Sequence, residues 1–158
     1  MKQSIKTGLG FGVTSGIITT VGLMVGLYAG TLSRISIIGG ILTIAIADAF
    51  SDSLGFYVSK ECESKSNTCE VWEATLAAFF SKFFIAIIFL IPITLFPLYF
   101  AIKFNIVLGM LLLSSFSYYI AKTCKAKPWR IVCQYVLIAI IVIIITQTAG
   151  AWIRNFFI

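Results

Sequence analysis

Residues 35–58 read ISIIGGILTIAIADAFSDSLGFYV, an apolar stretch in which Asp48 and Asp52 are the only charged residues. It is long enough for a helix that crosses the hydrocarbon core of a membrane, which takes about 20 residues. Four further apolar segments cover about residues 7–32, 74–102, 104–121 and 131–153. Because backbone that is exposed to lipid must be helical, the sequence predicts an all-α integral membrane protein. We expect five transmembrane helices in a single transmembrane domain over residues 1–158.

The composition excludes several classes of protein. Hydrophobic residues make up 59% of the 158 residues and charged residues 11%, whereas about 25% of the residues in soluble domains are charged. The mean hydropathy is +1.03. A soluble domain of this size cannot bury so much apolar surface, which excludes a soluble enzyme, a disordered tail and a secreted disulfide scaffold. The absence of histidine from the sequence excludes a Ser-His-Asp triad and His-ligated zinc, and we expect neither enzymatic activity nor a resident cofactor.

The distribution of positive charge predicts the topology. The net charge of +6 is typical of the Lys and Arg bias of cytoplasmic loops, and we expect no binding to nucleic acid. With a cytoplasmic N-terminus, eight cations lie inside: Lys2, Lys6, Lys60, Lys65, Lys122, Lys125, Lys127 and Arg130. Three lie outside: Arg34, Lys103 and Arg154.

Lys82 belongs to neither group, since the predicted third span places it about two turns from the cytoplasmic end. Either its ammonium reaches the membrane surface, as long basic side chains do, or it pairs with a buried carboxylate. Both interpretations remain open from the sequence. Pro92 and Pro97 lie in the same predicted span, and we expect both to kink it.

Glycines recur at every fourth position in the first span, as Gly8, Gly12 and Gly16 and then as Gly22, Gly26 and Gly30. Such runs let the backbones of neighbouring helices approach closely in a membrane. Two interpretations follow: packing against the second span of the same chain, or a homodimer seam beside an ion pathway.

Asp48 and Asp52 are four residues apart and therefore lie on one face of the second helix. A charged aspartate at the centre of a bilayer costs about 2.5–3.5 kcal/mol, so the pair indicates a cavity, a cation or a proton path. Ser51 adds a hydroxyl nearby, and such oxygen ligands suit hard or borderline divalent cations. The alternative is that the two carboxylates only join helices through hydrogen bonds.

Residues 59–73 form a polar loop that contains four carboxylates: Glu61, Glu63, Glu70 and Glu73. At the mouth of a pathway they would concentrate divalent cations and serve as further ligands. Alternatively, they only solvate the ends of the helices. The four cysteines of the chain lie near the same side: Cys62, Cys69, Cys124 and Cys133. We expect free thiols rather than disulfides there, and the alternative is a soft metal-capture site that these thiols form with the four glutamates.

Two segments resemble the vacuolar iron transporter family. Residues 12–16, GVTSG, are similar to its Gly-Val-Ser-Asp-Gly motif, and residues 47–63, ADAFSDSLGFYVSKECE, are similar to its second-span motif. Ser15 stands where the family has an aspartate, and Asp52 stands where it has a methionine. The resemblance implies that Ser15 is an oxygen ligand beside Asp48 and Asp52.

The resemblance also implies a function and an assembly. Family members are homodimers that move ferrous iron, and often manganese, out of the cytosol in exchange for protons. Their ion path lies between the subunits, near the first two spans. A short chain without a cytoplasmic metal-binding insert resembles the prokaryotic type, so we expect a multi-pass protein of a prokaryotic plasma membrane.

Two other functions compete with this one. A membrane assembly or regulatory protein that does not transport could retain the same fold. An intramembrane aspartyl protease is disfavoured, because its two aspartates come from different helices, whereas Asp48 and Asp52 share one.

Overall fold

The computed structural model describes residues 3–62, 67–123 and 127–157. Within these ranges the chain forms five helices that are long and apolar enough to span a membrane, and it forms no β-strand. They are α1 (Gln3–Thr31), α2 (Arg34–Glu61), α3 (Thr68–Leu95), α4 (Leu98–Thr123) and α5 (Pro128–Phe157). The predicted all-α, multi-pass fold is therefore confirmed.

The predicted bounds of the third and fourth spans are wrong. α3 begins at Thr68, where the side chain of Asn67 accepts a hydrogen bond from the Cys69 N–H at 3.4 Å, and it ends at Leu95 rather than near residue 102. Proline disfavours a helical conformation in the preceding residue, and Phe96 is accordingly extended (φ −109°, ψ 161°). Pro97 therefore separates two helices instead of kinking one, whereas Pro92 does lie inside α3.

α1 is the central helix and contacts all four others, most extensively α3 and α5. In its most apolar stretch 56% of the residues are buried, against 11% in α5. The first glycine run faces α3: a Cβ on Gly12 would lie 2.3 Å from the carbonyl oxygen of Ala78. The second run faces α5, where a Cβ on Gly150 would lie 2.2 Å from the carbonyl oxygen of Gly26. Both glycine faces are therefore covered by the chain's own helices.

This packing corrects both interpretations of the glycines. A homodimer seam along them is wrong, because α3 and α5 occupy the space that a partner would need. Packing against the second span is also wrong for these residues, since their contacts are with the third and fifth spans.

α2 packs mainly along α3 and is interrupted by one turn of π-helix. The turn covers Ile44–Asp48 and joins α-helical segments at Arg34–Thr43 and Ala49–Glu61. The buried apolar residues Ile37 and Ile41 pack with Met24 and Ile93 in one core of the bundle. The membrane-spanning stretch of α2 is otherwise largely uncovered, with 22% of its residues buried.

The two ends of the bundle carry different cations. Arg34 donates to the carbonyl oxygen of Phe96 at 2.9 Å, and Lys103 and Arg154 line one cavity at the same end, called here the Arg34 end. At the opposite end, Lys6 shares a cavity with Phe56, Thr123 and Tyr135. The predicted grouping of Arg34, Lys103 and Arg154 on one side of the membrane matches this arrangement.

Candidate ion site within the membrane

Three helices bring four polar side chains together: Ser15 from α1, Asp48 and Asp52 from α2, and Lys82 from α3. Lys82 lies 14 residues from the start of α3 and 13 from its end, so it is about 20 Å along the helix from either end at a rise of 1.5 Å per residue. Asp48 stands 14 residues from the start of α2 and 13 from its end. The site therefore lies near the middle of the bundle's length.

The ammonium of Lys82 links the two carboxylates. Its Nζ atom is 2.5 Å from Oδ2 of Asp48 and forms a second ion pair with Oδ2 of Asp52. It also donates to Oγ of Ser15 at 3.1 Å, and that hydroxyl donates to Oδ2 of Asp52 at 2.7 Å. Lys82 thus pairs with two partly buried carboxylates and does not reach the surface, which decides between the two interpretations of this residue.

Burial differs between the partners. The Lys82 side chain is 3% exposed, whereas those of Asp48 and Asp52 are 31% and 30% exposed. The ammonium is therefore enclosed by α1, α2 and α3, while the carboxylates reach the surface of the chain beside α2. With both carboxylates ionised and the lysine protonated, the site carries one net negative charge.

The two aspartates are not held equally. Asp52 accepts hydrogen bonds from Ser15 and Lys82 through one oxygen. Oδ2 of Asp48 is buried and accepts no hydrogen bond from the described residues, so the ion pair with Lys82 is its compensation. Two side chains therefore hold Asp52 and one holds Asp48, which leaves Asp48 more capacity to accept an additional ligand.

The π turn ends at Asp48, and the sequence analysis did not foresee it. In an α-helix, positions four apart drift about 40° around the axis at each step, because each residue advances about 100°. A π turn accommodates one extra residue and offsets this drift. Accordingly, α2 buries every fourth residue from its first half into its second: Ile37, Ile41, Ala45, Ala49 and Ser53. This spacing is visible only once burial is known, because apolar and small residues also occupy most of the other positions of α2.

Glycine controls how closely Lys82 approaches α1. A Cβ on Gly16 would lie 3.2 Å from Cγ and 3.3 Å from Cα of Lys82. Since these separations are tighter than ordinary van der Waals contact, a larger residue would push α3 away and separate Lys82 from Ser15. The glycine run therefore helps to assemble the ion site.

The other predicted ligands do not join this group. Ser51 is exposed on α2, Glu61 and Glu70 are exposed, and Glu73 is partly buried at the start of α3. Glu63 lies outside the described residues. Across residues 3–62, 67–123 and 127–157, no three Asp, Glu or Cys side chains come close enough to hold a metal ion together. Cys62, Cys69 and Cys133 are exposed free thiols, and Cys124 lies outside the described ranges.

Chemically, the site is a pair of carboxylates joined by one ammonium and one hydroxyl. Carboxylate and hydroxyl oxygens are of the kind that hard or borderline divalent cations prefer, and carboxylates can also carry protons.

Comparison with models of known protein families finds no match, and comparison with curated protein sequences finds no significant match.

Proposed function

We propose that the protein moves a divalent metal cation, ferrous iron or manganese, out of the cytosol in exchange for protons. The observation that carries the proposal is the ion network of Lys82, Asp48 and Asp52 halfway along three membrane-length helices. Charges at this depth are expensive and are characteristic of ion and proton paths. The resemblance of residues 12–16 and 47–63 to the vacuolar iron transporter family supports the same class of substrate.

In this proposal Lys82 occupies the carboxylates when no metal is bound. A divalent cation cannot sit between Asp48 and Asp52 while the ammonium remains there, because like charges repel at such short range. The ammonium has to move away or lose its proton before the metal binds. When the ammonium loses its proton, metal binding releases that proton from the site, and departure of the metal lets Lys82 take up a proton again. This deprotonation couples metal movement to proton movement, whereas displacement of the intact ammonium would release no proton.

Coupling is required for export. Moving one charge across 100 mV involves about 2.3 kcal/mol, so a divalent cation that leaves a negative cytosol costs twice that, about 4.6 kcal/mol. Protons that enter in return can supply this free energy. Our proposal therefore includes a cytoplasmic N-terminus and a prokaryotic plasma membrane, in keeping with the eight predicted inside cations against three outside.

We also propose a homodimer, but through α2 rather than α1. Six small residues recur at every fourth position of α2 and all are exposed: Gly39, Thr43, Ala47, Ser51, Gly55 and Ser59. A Cβ on Gly39 or Gly55 would meet nothing within 4 Å. Exposed small-residue ridges allow close helix pairing in membranes. A partner on this ridge would cover the exposed side of Asp48 and Asp52.

The test is metal and proton flux in proteoliposomes loaded with a metal-sensitive and a pH-sensitive dye. We expect the unmodified protein to move Mn²⁺ or Fe²⁺ with protons in the opposite direction. Asp52→Asn should abolish both flows, because Asp52 receives both Ser15 and Lys82, and Asp48→Asn should weaken both. Ser115→Ala, which alters an exposed hydroxyl on α4, is the control and should leave both flows unchanged.

The competing function is that of a membrane assembly or regulatory protein that does not transport. The feature that favours it is that Lys82 already compensates both carboxylates, as a purely structural ion pair would. Metal flux that persists in the Asp48→Asn/Asp52→Asn variant would overturn the ion-site assignment. Absence of flux from the unmodified protein with both metals would favour the assembly role.

A further inference from the structure

The cavity at the Arg34 end lies between α1, α4 and α5 and has several polar residues in its lining. Its volume is about 390 Å³, and its polar lining consists of Tyr28, Tyr99, Lys103, Gln147 and Arg154. It is separate from the ion site, whose four residues do not line it. Nothing in the proposed transport reaction uses these side chains.

The cavity carries uncompensated positive charge. All six acidic residues of the sequence fall between positions 48 and 73, so no Asp or Glu side chain lies in α4, α5 or the C-terminal half of α1. Lys103 lies over the ring of Tyr99, 4.1 Å from its centroid, and hydrogen-bonds to the hydroxyl of that residue. Arg154 is partly buried and forms no ion pair within the described residues. Two cations thus face one cavity whose described lining contains no acidic side chain.

Depth and shape indicate which anion fits. Lys103 is five residues from the start of α4, and Arg154 is three residues from the end of α5. At 1.5 Å per residue, both lie within about 8 Å of a helix end, the level of the lipid headgroups. Behind the polar groups the lining is apolar, with Val25, Ile102 and Ile106. Polar groups at the membrane interface above an apolar wall suit a molecule with an anionic head and hydrocarbon chains.

We propose that this cavity binds the phosphate of an anionic glycerophospholipid. Lys103 and Arg154 pair with the phosphate, since both side chains donate several hydrogen bonds to such a group. The hydroxyls of Tyr28 and Tyr99 and the amide of Gln147 supply further donors to the phosphate and glycerol oxygens. The acyl chains lie against the apolar wall formed by α1 and α4.

The test measures lipid binding to the full chain in detergent, by native mass spectrometry and by thermal unfolding. Delipidated protein is titrated with phosphatidylglycerol, with phosphatidylcholine and with inorganic phosphate. We expect phosphatidylglycerol to bind most tightly, because the choline ammonium of phosphatidylcholine is repelled by the two cations. Lys103→Gln/Arg154→Gln should weaken phosphatidylglycerol binding about 30-fold, at about one kilocalorie per mole for each cation.

Two further variants separate this site from general charge effects. Lys127→Gln/Arg130→Gln removes the same charge at the opposite end, where both residues are exposed, and should bind phosphatidylglycerol as the unmodified protein does. Ala151→Trp fills the cavity without changing its charge, and should weaken binding as strongly as the Lys103/Arg154 double variant. Ala151→Trp also decides the outcome if that double variant does not fold.

The proposal fails if the variant pairs at the two ends lose binding equally, which would indicate non-specific attraction. It also fails if inorganic phosphate stabilises the protein as much as phosphatidylglycerol, which would indicate a free-anion site. Equal binding of phosphatidylcholine, or unchanged binding to Ala151→Trp, would likewise overturn it. None of these results depends on metal transport.

Discussion

Removal of the central ammonium is the sharpest test of the ion network. Oδ2 of Asp48 and Oδ2 of Asp52 each lie 2.5 Å or less from the same Nζ atom of Lys82, so the two oxygens are within about 5 Å of each other. Two unit charges at that distance repel by about 3 kcal/mol at an effective dielectric constant of 20. Lys82→Met removes the attraction that offsets this repulsion, and we expect it to lower the free energy of unfolding by about 3 kcal/mol, the lower end of the range for breaking a buried ion pair.

A triple variant separates charge from packing. In Lys82→Met/Asp48→Asn/Asp52→Asn the repulsion is gone, and replacing a buried ion network by neutral groups is often close to neutral in stability. We therefore expect this variant to unfold within about 1 kcal/mol of the unmodified protein, although Lys82→Met alone unfolds about 6–12 °C lower. Thermal unfolding in detergent, followed by tryptophan fluorescence, measures both. Equal stability of the single variant and the unmodified protein would refute the network.

Addition of Mn²⁺ tests whether the ion network is also a metal site. If Mn²⁺ takes the place of the ammonium, millimolar Mn²⁺ should restore the unfolding temperature of Lys82→Met, because a ligand that binds only the folded state stabilises it. The triple variant, which has lost both carboxylates, should not respond. If Lys82→Met is destabilised and Mn²⁺ does not raise its unfolding temperature, the result supports the ion network but contradicts the metal site.

Two further predictions concern the helix faces. Gly12→Ala should lower the free energy of unfolding by about 1–3 kcal/mol, because the new Cβ meets the Ala78 carbonyl oxygen and separates α1 from α3. Ser115→Ala, which changes an exposed side chain on α4, is the control and should stay within about 0.5 kcal/mol of the unmodified protein; unfolding temperatures measure both. In a cysteine-free background, Gly55→Cys should give an oxidised dimer of twice 17.4 kDa on gels. Gly22→Cys should stay monomeric, because Gly22 faces Val142 of its own chain. The reverse pattern would contradict pairing through α2.

Hydrophobicity is sufficient to predict the number of helices but not where they end. Each span is a long apolar run, and a lipid-exposed backbone has to be helical. Apolar residues continue without a break from residue 83 to residue 93 and again from 95 to 102, so hydropathy alone joined α3 to the start of α4. Backbone chemistry decides the boundary: Pro97 disfavours a helical Phe96. If Pro97 had been interpreted as the end of a helix, the predicted third span would have ended near residue 95 and begun earlier in the chain.

The misplaced start of the third span also left open whether Lys82 reaches the membrane surface. A span that begins near residue 74 puts Lys82 about two turns from the surface, where its ammonium could reach water. A helix that begins at Thr68 puts it about 20 Å from either end, too deep for the side chain to escape. Asp48 and Asp52 were predictable, because carboxylates four apart on an apolar helix share a face. Their partner Lys82 was not predictable. The packing of α3 against α2 decides which residue of α3 lies opposite the two aspartates, and the sequence does not show that packing.

The network also limits how α2 can move. Among its polar contacts, α2 is joined to the carbonyl oxygen of Phe96 by Arg34 at one end, and to Ser15 and Lys82 by Asp48 and Asp52 at mid-length. A cation that displaces Lys82 would exchange the second link for metal–oxygen bonds and leave the link at the Arg34 end intact. The half of α2 beyond the π turn would then lose its ion pairs to α3 and keep its ring contacts, Phe56 with Phe11 of α1 and Tyr57 with Trp72 of α3. Proposed metal binding would thereby change how α2 is held at mid-length, beside a π turn of the kind that is frequent at functional sites.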